Sequence, residues 1–247
     1  MAKISVNMIS YTLRRTVDLT VIIPSVTIPE SLMATKPTHK LQAKYPVLYL
    51  LHGYGNNHAT WQGYSRVELY SEERQIAVVM LSAENKAYKD HGGDDNYFDF
   101  IENELQEYIV NTFPVSTRKE DTYIAGLSMG GFGTMYHAFS HPEKYQAMGS
   151  FSGAISMSDK DEITPLIQKC IDEKKELPAI YIAIGSDDFL LEKNHDLVKY
   201  LKEHNIEFTY DEIPGYGHEW RFWDLQVEKY LDWIPRTDYY ADKKRKV

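Results

Sequence analysis

The strongest constraint in this sequence is a Gly-x-Ser-x-Gly pentapeptide at residues 126–130, with Ser128 at its centre. It follows a buried-strand pattern over residues 121–125 and precedes residues 131–138, which predict a helix that begins with small residues. A strand that turns this sharply into a helix crowds its neighbours, and glycines on both sides of the serine leave room for close backbone approach. Such a turn holds Ser128 exposed at its tip, as a nucleophile requires. The alternative is a Gly-rich turn that contains a serine by chance.

A serine nucleophile needs a general base, and the base needs an acid that orients it. Residues 178–185 predict a buried strand that leads into Asp187 and Asp188. Residues 206–213 alternate like a further strand and lead into a loop that holds His218. Functional groups of open α/β sheets gather at the carboxyl ends of the strands. The chain order serine, acid, histidine is one that serine hydrolases use, so we predict His218 as the base and Asp188 as the acid. The alternatives are Asp187 as the acid, a helix N-cap for either aspartate, and an ordinary surface or core histidine.

A second Gly-containing turn predicts where a developing negative charge is stabilised. Residues 45–51 predict a strand that runs into His52-Gly53-Tyr54-Gly55. Such a turn lets a backbone N–H face the nucleophile. We assign the two oxyanion donors to the backbone N–H groups of Tyr54 and Met129. A tight turn without this role would use the same glycines.

Strand and helix patterns alternate along the chain, which predicts a doubly wound, mostly parallel α/β sheet with helices on both faces. The clearest helix covers residues 96–113, with Phe98, Ile101, Leu105 and Ile109 on one face, and Pro114 ends it. Further strands are predicted over residues 16–24, 76–82 and 147–151, and further helices over residues 164–175, 190–204 and 221–233. Since no repeat or linker divides the 247 residues, we predict a single domain over residues 1–247.

These motifs resemble the esterase D-like, or tributyrin esterase, branch of the α/β-hydrolases. The resemblance extends over nearly the whole chain, and its most specific pieces are Gly-Leu-Ser-Met-Gly-Gly and Gly-His-Glu-Trp. The residues that carry it are Leu50-Leu51-His52-Gly53, Trp61, Tyr88-Lys89-Asp90, Glu104-Leu105, residues 124–131, residues 151–154, residues 185–190, residues 217–220 and Trp223. In this branch the acid is the fourth residue of a Gly-x-x-Asp turn, which implies Asp188. Relatives of the branch include S-formylglutathione hydrolases, bacterial feruloyl and acetylxylan esterases, and mycolyl transferases.

The resemblance implies a serine carboxylesterase that hydrolyses short-chain acyl esters through an acyl-enzyme, without a cofactor or a metal. The alternative is a feruloyl (hydroxycinnamoyl) or acetylxylan esterase acting on plant-derived esters. S-formylglutathione hydrolase, acyl transferase and a non-catalytic binding protein are weaker alternatives. Residues 154–178 are shorter than the lid insertion expected of tributyrin esterases, so we expect a minimal lid.

Aromatic residues near these motifs are candidates for substrate binding. We predict that Trp61, Tyr88 and Trp220 contact the substrate. Trp220 and Trp223 are three residues apart on a predicted helix, so we expect at least one of them to pack in the core.

Composition limits the classes of binding partner and the cellular location that we expect for this protein. The formal net charge of -9 argues against nucleic acid or an anionic membrane as the main partner, which leaves a small-molecule ester. The single cysteine, Cys170, excludes an internal disulfide, and the first residues lack the apolar run of a signal peptide, so we expect a cytoplasmic location. No apolar run is long enough to span a membrane. The sequence leaves the oligomeric state open, a homo-oligomer included.

Two polar segments allow a second interpretation. Residues 90–95, Asp-His-Gly-Gly-Asp-Asp, are rich in ligand-type groups but lack the spacing of an EF-hand loop. The resemblance favours contact with substrate over a metal here, because this loop borders the active site in the family. The basic tail over residues 241–247 contains a stretch similar to a nuclear localisation signal, but we expect a solvated, disordered end.

Overall fold

An eight-stranded sheet forms the centre of the computed structural model, which describes residues 1–33 and 44–238. The strand order is β1-β2-β4-β3-β5-β6-β7-β8. The strands are β1 (Ala2–Ser10), β2 (Arg15–Ile23), β3 (Val47–Leu51), β4 (Ala77–Leu81), β5 (Thr122–Leu127), β6 (Ala147–Phe151), β7 (Ala179–Gly185) and β8 (Thr209–Ile213). β2 pairs antiparallel with β1 and with β4, and all neighbours from β4 to β8 pair in parallel. The predicted mostly parallel α/β sheet is confirmed.

Helices cover both faces of this sheet, and the described residues form one large apolar cluster on each face. The helices are α1 (Ile28–Met33), α2 (Thr60–Tyr64), α3 (Val67–Arg74), α4 (Tyr97–Asp99), α5 (Gln106–Thr112), α6 (Met129–Ser140), α7 (Thr164–Asp172), α8 (Leu191–Glu203) and α9 (Trp220–Trp233). Side chains of β3 alternate between the clusters, with Tyr49 and Leu51 in one and Leu48 and Leu50 in the other. Because both faces are covered, the central strands are continuous apolar runs in the sequence.

The helix predicted over residues 96–113 is present but is not a regular α-helix. Between α4 and α5 the chain forms a π-helical segment, Phe100–Leu105. Glu102 and Glu104 of this segment are buried, so acidic side chains point toward the core beside the apolar ones. Apolar spacing does not distinguish a π-helical turn from an α-helical one. Such turns are frequent near functional sites.

Three regions differ from the sequence-based expectation. β1 was not expected, because it lies at the sheet edge and most of its side chains are exposed. The segment after β2, for which no helix was predicted, contains α1, and α2 and α3 lie between β3 and β4. Residues 34–43 and the basic tail over residues 241–247 lie outside the described residues. No helix in the described ranges is long and apolar enough to cross a bilayer.

Candidate active site

Ser128 occupies a strained turn between β5 and α6. Its backbone has φ 53° and ψ −115°, a conformation that residues with a Cβ rarely adopt. The surrounding backbone holds it there. The Ser128 N–H donates to the carbonyl oxygen of Phe151 at 2.9 Å, and its own carbonyl oxygen accepts from the N–H groups of Phe132 at 3.0 Å and Ala154 at 3.1 Å. Strained backbone persists where neighbouring structure fixes it in this way.

The two glycines of the pentapeptide allow α6 to pack against the end of β3. A Cβ on Gly126 would lie 2.5 Å from the carbonyl oxygen of Gly130. A Cβ on Gly130 would lie 2.5 Å from the carbonyl oxygen of Leu51 and 2.7 Å from that of His52. Real Cβ atoms do not approach backbone oxygens this closely, so the turn requires glycine at both positions. This packing brings the helix that follows Ser128 against the His52-Gly53 turn.

Three of the predicted residues meet at the carboxyl edge of the sheet. His218, on the loop between β8 and α9, has its Nε2 2.9 Å from Ser128 Oγ. Its Nδ1 lies 2.9 Å from Oδ2 of Asp188, which follows β7. An ionised carboxylate can only accept, so Nδ1 carries the proton and Nε2 is left to accept the Ser128 hydroxyl proton. This is the arrangement that a serine nucleophile, its base and an orienting acid require.

Asp188 is held ionised in a buried position. Its Oδ1 accepts the backbone N–H of Leu190 at 2.9 Å, and the nearby Ser152 hydroxyl further stabilises the charged carboxylate. Burial alone would raise the pKa of Asp188, but the donors from His218, Leu190 and Ser152 outweigh it and hold this pKa below its ordinary value. Asp188 therefore orients His218, and its other carboxylate oxygen binds the turn just before α8, whose N-cap residue is Leu190. Asp187 is exposed. Within the described residues, its carboxylate accepts a hydrogen bond only from the neighbouring Ser186 hydroxyl.

Two aromatic side chains pack against His218. The Trp223 indole N–H donates to Ser152 Oγ at 3.1 Å, and its ring lies 4.9 Å from the His218 ring in an edge-on arrangement. The Phe189 ring contacts His218 from another side, with 4.6 Å between ring centroids. Phe189 directly follows Asp188 in the sequence, and this position is a signal from which its place beside the site could be predicted. Ser152, which lies in the 151–154 motif, directly follows β6 and has a left-handed φ of 48°.

The His52-Gly53 turn lies directly against Ser128. The Asn56 N–H donates to the Gly53 carbonyl oxygen at 3.2 Å, and Gly55 has φ 76°, as in a type II turn. A Cβ on Gly53 would lie 3.6 Å from the Cβ of Ser128, so this backbone lies directly against the nucleophile. Within residues 1–33 and 44–238 the Tyr54 N–H has no hydrogen-bond acceptor.

The structure corrects two of the predicted substrate contacts. Trp61 is only 1% exposed and donates its indole N–H to the Leu51 carbonyl oxygen at 2.9 Å. Tyr88 is fully buried and donates its hydroxyl to the His52 carbonyl oxygen at 2.7 Å. Both side chains lie beneath the site, because their polar atoms bind strand and turn backbone, and neither can contact a bound ester directly.

The aromatic surface of the site comes from other rings. Trp220 is half-buried and stacks on exposed Tyr64, with 5.1 Å between ring centroids. Tyr54 and Phe189 are 65% and 75% exposed, respectively, although both are large apolar rings next to site residues. Trp223 is buried, as expected for at least one of the two tryptophans of α9.

The acidic loop over residues 90–95 uses its carboxylates within the fold. Asp90 Oδ1 accepts the N–H groups of Phe98 at 2.9 Å and Asp99 at 3.1 Å, and so caps the start of the helix. Hydrogen bonds from Lys86 and Arg15 lower the pKa of Asp95. In the part of the chain that the structure describes, no group of three or more His, Cys, Asp or Glu residues could hold a metal ion.

Comparison with known proteins identifies the family of this chain. Residues 31–235 match the family model Esterase, described as "Putative esterase". The chain belongs to this esterase family. It is 30% identical to an acetyl esterase of Caldicellulosiruptor saccharolyticus, an alignment that covers 96% of this chain and 99% of the relative. Members of the family have the α/β-hydrolase fold, and the chain is a carboxylic ester hydrolase.

Two solved structures from Staphylococcus aureus are similar over almost their whole length. One is an S-formylglutathione hydrolase, 27% identical with a TM-score of 0.81, for which the match covers 94% of this chain and 98% of that chain. The other is FphF, a fluorophosphonate-binding serine hydrolase, 28% identical with a TM-score of 0.82 and coverage of 94% and 97%.

Proposed function

We propose that this esterase uses Ser128 as nucleophile, His218 as general base and acid, and Asp188 as the orienting acid. The observation that carries the proposal is the continuous hydrogen-bonded series from Ser128 Oγ through both nitrogens of His218 to Asp188. The strained conformation of Ser128 supports it, since strain of this kind persists where function requires it.

The proposed cycle moves one proton at a time. His218 Nε2 takes the Ser128 hydroxyl proton while the oxygen attacks the ester carbonyl carbon. The tetrahedral intermediate then collapses, the bond to the alcohol oxygen breaks, and His218 gives its proton to that oxygen. Water repeats the sequence on the acyl-enzyme and releases the acid. Asp188 remains ionised throughout and stabilises the imidazolium that forms twice in each cycle.

We assign the oxyanion donors to the N–H groups of Tyr54 and Met129. Met129 is the first residue of α6, where a backbone N–H has no acceptor within the helix. The Tyr54 assignment can be tested through the backbone, because Tyr54 is the second residue of the turn, where proline is favoured. Tyr54→Pro removes the N–H and the ring, whereas Tyr54→Ala removes only the ring. Loss of one oxyanion donor costs about 10²–10³ in kcat, so the proline variant should be slower than the alanine variant by that factor. Equal rates would refute the assignment.

We infer short acyl esters as the preferred substrates. Between β6 and β7 the chain forms only one helix, α7, so little is available to cover a long acyl chain. The acetyl esterase relative agrees with a small acyl group. Each buried CH₂ contributes about 0.8 kcal/mol, so kcat/KM should rise over the first few carbons and then level or fall once the chain leaves the site.

A substrate panel tests this preference and its alternatives. The panel contains aryl esters from acetate to octanoate, methyl ferulate, an acetylated sugar and S-formylglutathione, with Ser128→Ala as the control in every assay. We expect the highest kcat/KM on C2 to C4 acyl groups. Hydroxycinnamoyl esters are the second candidate, because Tyr54 and Phe189 have exposed rings. The planar ring of such an ester can stack on them. Greater activity on octanoate than on butyrate would contradict the short-chain proposal.

We propose a cytoplasmic enzyme that acts on a small-molecule ester and has neither nucleic acid nor membrane as a partner. The net charge of -9 supports this partner class. The only cysteine, Cys170, is buried and donates its thiol to the Phe139 carbonyl oxygen, which agrees with a reducing compartment. Fractionation of cells that express the protein would test the location.

A further inference from the structure

Tyr88 connects the nucleophile helix to the turn that carries Tyr54. Its hydroxyl donates to the His52 carbonyl oxygen at 2.7 Å. Its ring packs on α6 at Gly133, where a Cβ would lie 2.5 Å from Tyr88 Cδ2. Tyr88 is fully buried and has a left-handed φ of 59°, which is costly for a large aromatic residue. The side chain is thus fixed between two backbone elements that each supply one proposed oxyanion donor.

The backbone of Tyr88 is fixed by a buried charged cluster that the reaction does not use. His137, also on α6, donates from Nε2 to the Tyr88 carbonyl oxygen at 2.9 Å, and its Nδ1 lies 2.6 Å from Oε1 of Glu102. The Tyr145 hydroxyl donates to the same carboxylate oxygen at 2.7 Å, and Lys144 lies 3.0 Å from the other. Burial favours the neutral acid, but these donors keep the pKa of Glu102 below its ordinary value. Both ring nitrogens of His137 are thus bound, one to the Glu102 carboxylate and one to the Tyr88 carbonyl oxygen.

His52 extends this connection to the oxyanion turn. The Ala83 N–H donates to His52 Nε2 at 3.0 Å, so the proton of the neutral ring resides on Nδ1. Burial lowers the pKa of His52 to about 4, which keeps the ring neutral at neutral pH. Nδ1 lies 2.7 Å from the Gly53 carbonyl oxygen and donates to it. That oxygen and the Tyr54 N–H belong to one trans peptide and point in opposite directions, so fixing the oxygen also fixes the N–H.

We propose that Tyr88 is a positioning residue, which acts through His52 to hold the Tyr54 N–H at the distance from Ser128 that the transition state requires. The proposal rests on the oxyanion assignment given above. Its consequence is specific. A misplaced donor weakens binding of the charged tetrahedral intermediate more than binding of the neutral ester, so kcat falls while KM changes little.

Tyr88→Phe removes one hydroxyl and leaves the ring in place, so it is the direct test. Loss of a whole oxyanion donor costs about 10²–10³ in kcat, and a donor that is only displaced should cost about tenfold. Tyr45→Phe is the matched control, because Tyr45 also donates a buried hydroxyl to a backbone oxygen, that of Pro24, at 2.8 Å. Tyr45 precedes β3, at the end of the sheet opposite the site. We expect a similar loss of stability in both variants and a loss of kcat only in Tyr88→Phe.

A double variant separates positioning from general damage. Tyr88→Phe combined with Tyr54→Pro should be no slower than Tyr54→Pro alone, because no N–H then remains to be positioned. Losses that multiply, or a kcat for Tyr88→Phe within twofold of wild type, would overturn the inference while leaving the oxyanion assignment intact. If Tyr54→Pro is as fast as Tyr54→Ala, the assignment and the inference both fail.

A second pair of variants tests the inference should the proline variant fail to fold. In His52→Asn the amide nitrogen takes nearly the place of Nδ1 and can still donate to the Gly53 carbonyl oxygen, whereas His52→Leu cannot. We expect the asparagine variant to recover at least tenfold in kcat relative to the leucine variant at unchanged KM. Equal kcat values for the two variants would overturn the role of His52, and with it the route from Tyr88 to the donor.

Discussion

Replacing Ser128 by glycine should give a more stable protein than replacing it by alanine, although both variants lose activity. Both lose the hydrogen bond from Ser128 Oγ to His218, so that contribution cancels in the comparison. The φ of 53° with ψ −115° costs a residue with a Cβ about 1–3 kcal/mol and glycine much less. Glycine loses about 0.5–1 kcal/mol more backbone entropy than alanine on folding. The difference favours the glycine variant by about 1 kcal/mol, or about 2–4 °C in Tm for a chain of this size.

Thermal and urea unfolding of the two variants measure this difference, with a phosphonate that labels active serine hydrolases to confirm that both are inactive. Ser140 supplies the control, because it is the last helical residue of α6 and lacks a left-handed φ, so glycine gains nothing there over alanine. There the order should reverse, with Ser140→Gly less stable than Ser140→Ala. An alanine variant at position 128 that equals or exceeds the glycine variant in stability would refute the idea that strain is stored at the nucleophile.

Three further outcomes are expected. Asp188→Asn should fold and lower kcat by about 10³–10⁴, because the amide no longer fixes the protonated Nδ1 of His218. Steady-state kinetics, together with a thermal melt that confirms folding, measure this effect. A loss of kcat below tenfold would contradict the role of Asp188. Trp223→Phe keeps a ring against the base but removes the N–H that binds Ser152, so kcat should fall several-fold at unchanged KM, and an unaltered kcat would exclude a role for this hydrogen bond. Glu102→Gln should destabilise the fold most at neutral pH: because the pKa of Glu102 is lowered in the folded state, its contribution is present above the ordinary glutamate pKa and is lost as pH falls through the lowered value. Unfolding curves at several pH values should therefore converge with those of wild type in acid, and a constant gap would argue against an ionised Glu102.

The sequence predicted those parts of the site that depend on local chemistry. The turn at Ser128 requires glycine at fixed neighbouring positions, and such a requirement is visible in a pentapeptide. Asp188 follows a strongly apolar strand and His218 follows a shorter, partly polar strand parallel to it, so their place at one edge of the sheet follows from the parallel topology. The three residues meet in the structure at hydrogen-bond distance.

The substrate-contact predictions that were wrong depend on the direction in which a side chain points rather than on its position along the chain. Trp61 and Tyr88 lie close to the site along the chain, but their indole N–H and hydroxyl bind backbone oxygens beneath it. Neither composition nor spacing indicates which way a side chain points after an irregular turn. The π-helical segment was missed for a similar reason, since its buried Glu102 is stabilised by partners on α6 and in the loop after it, far away in sequence.

The residues that set the geometry of the site therefore differ in kind from those that define its chemistry. Ser128, Asp188 and His218 each follow a different strand. The hydrogen bonds that join these three side chains do not anchor their three turns to the sheet, so other residues must do so. On the acid side, Ser152 helps to keep the pKa of Asp188 low and is itself held by Trp223. On the oxyanion side, a chain of buried donors runs from α6 through Tyr88 to the turn. Substitutions along these two connections should lower kcat while every residue of the Gly-x-Ser-x-Gly, acid and histidine motifs stays in place, so an intact set of motifs in a related chain does not by itself predict its rate.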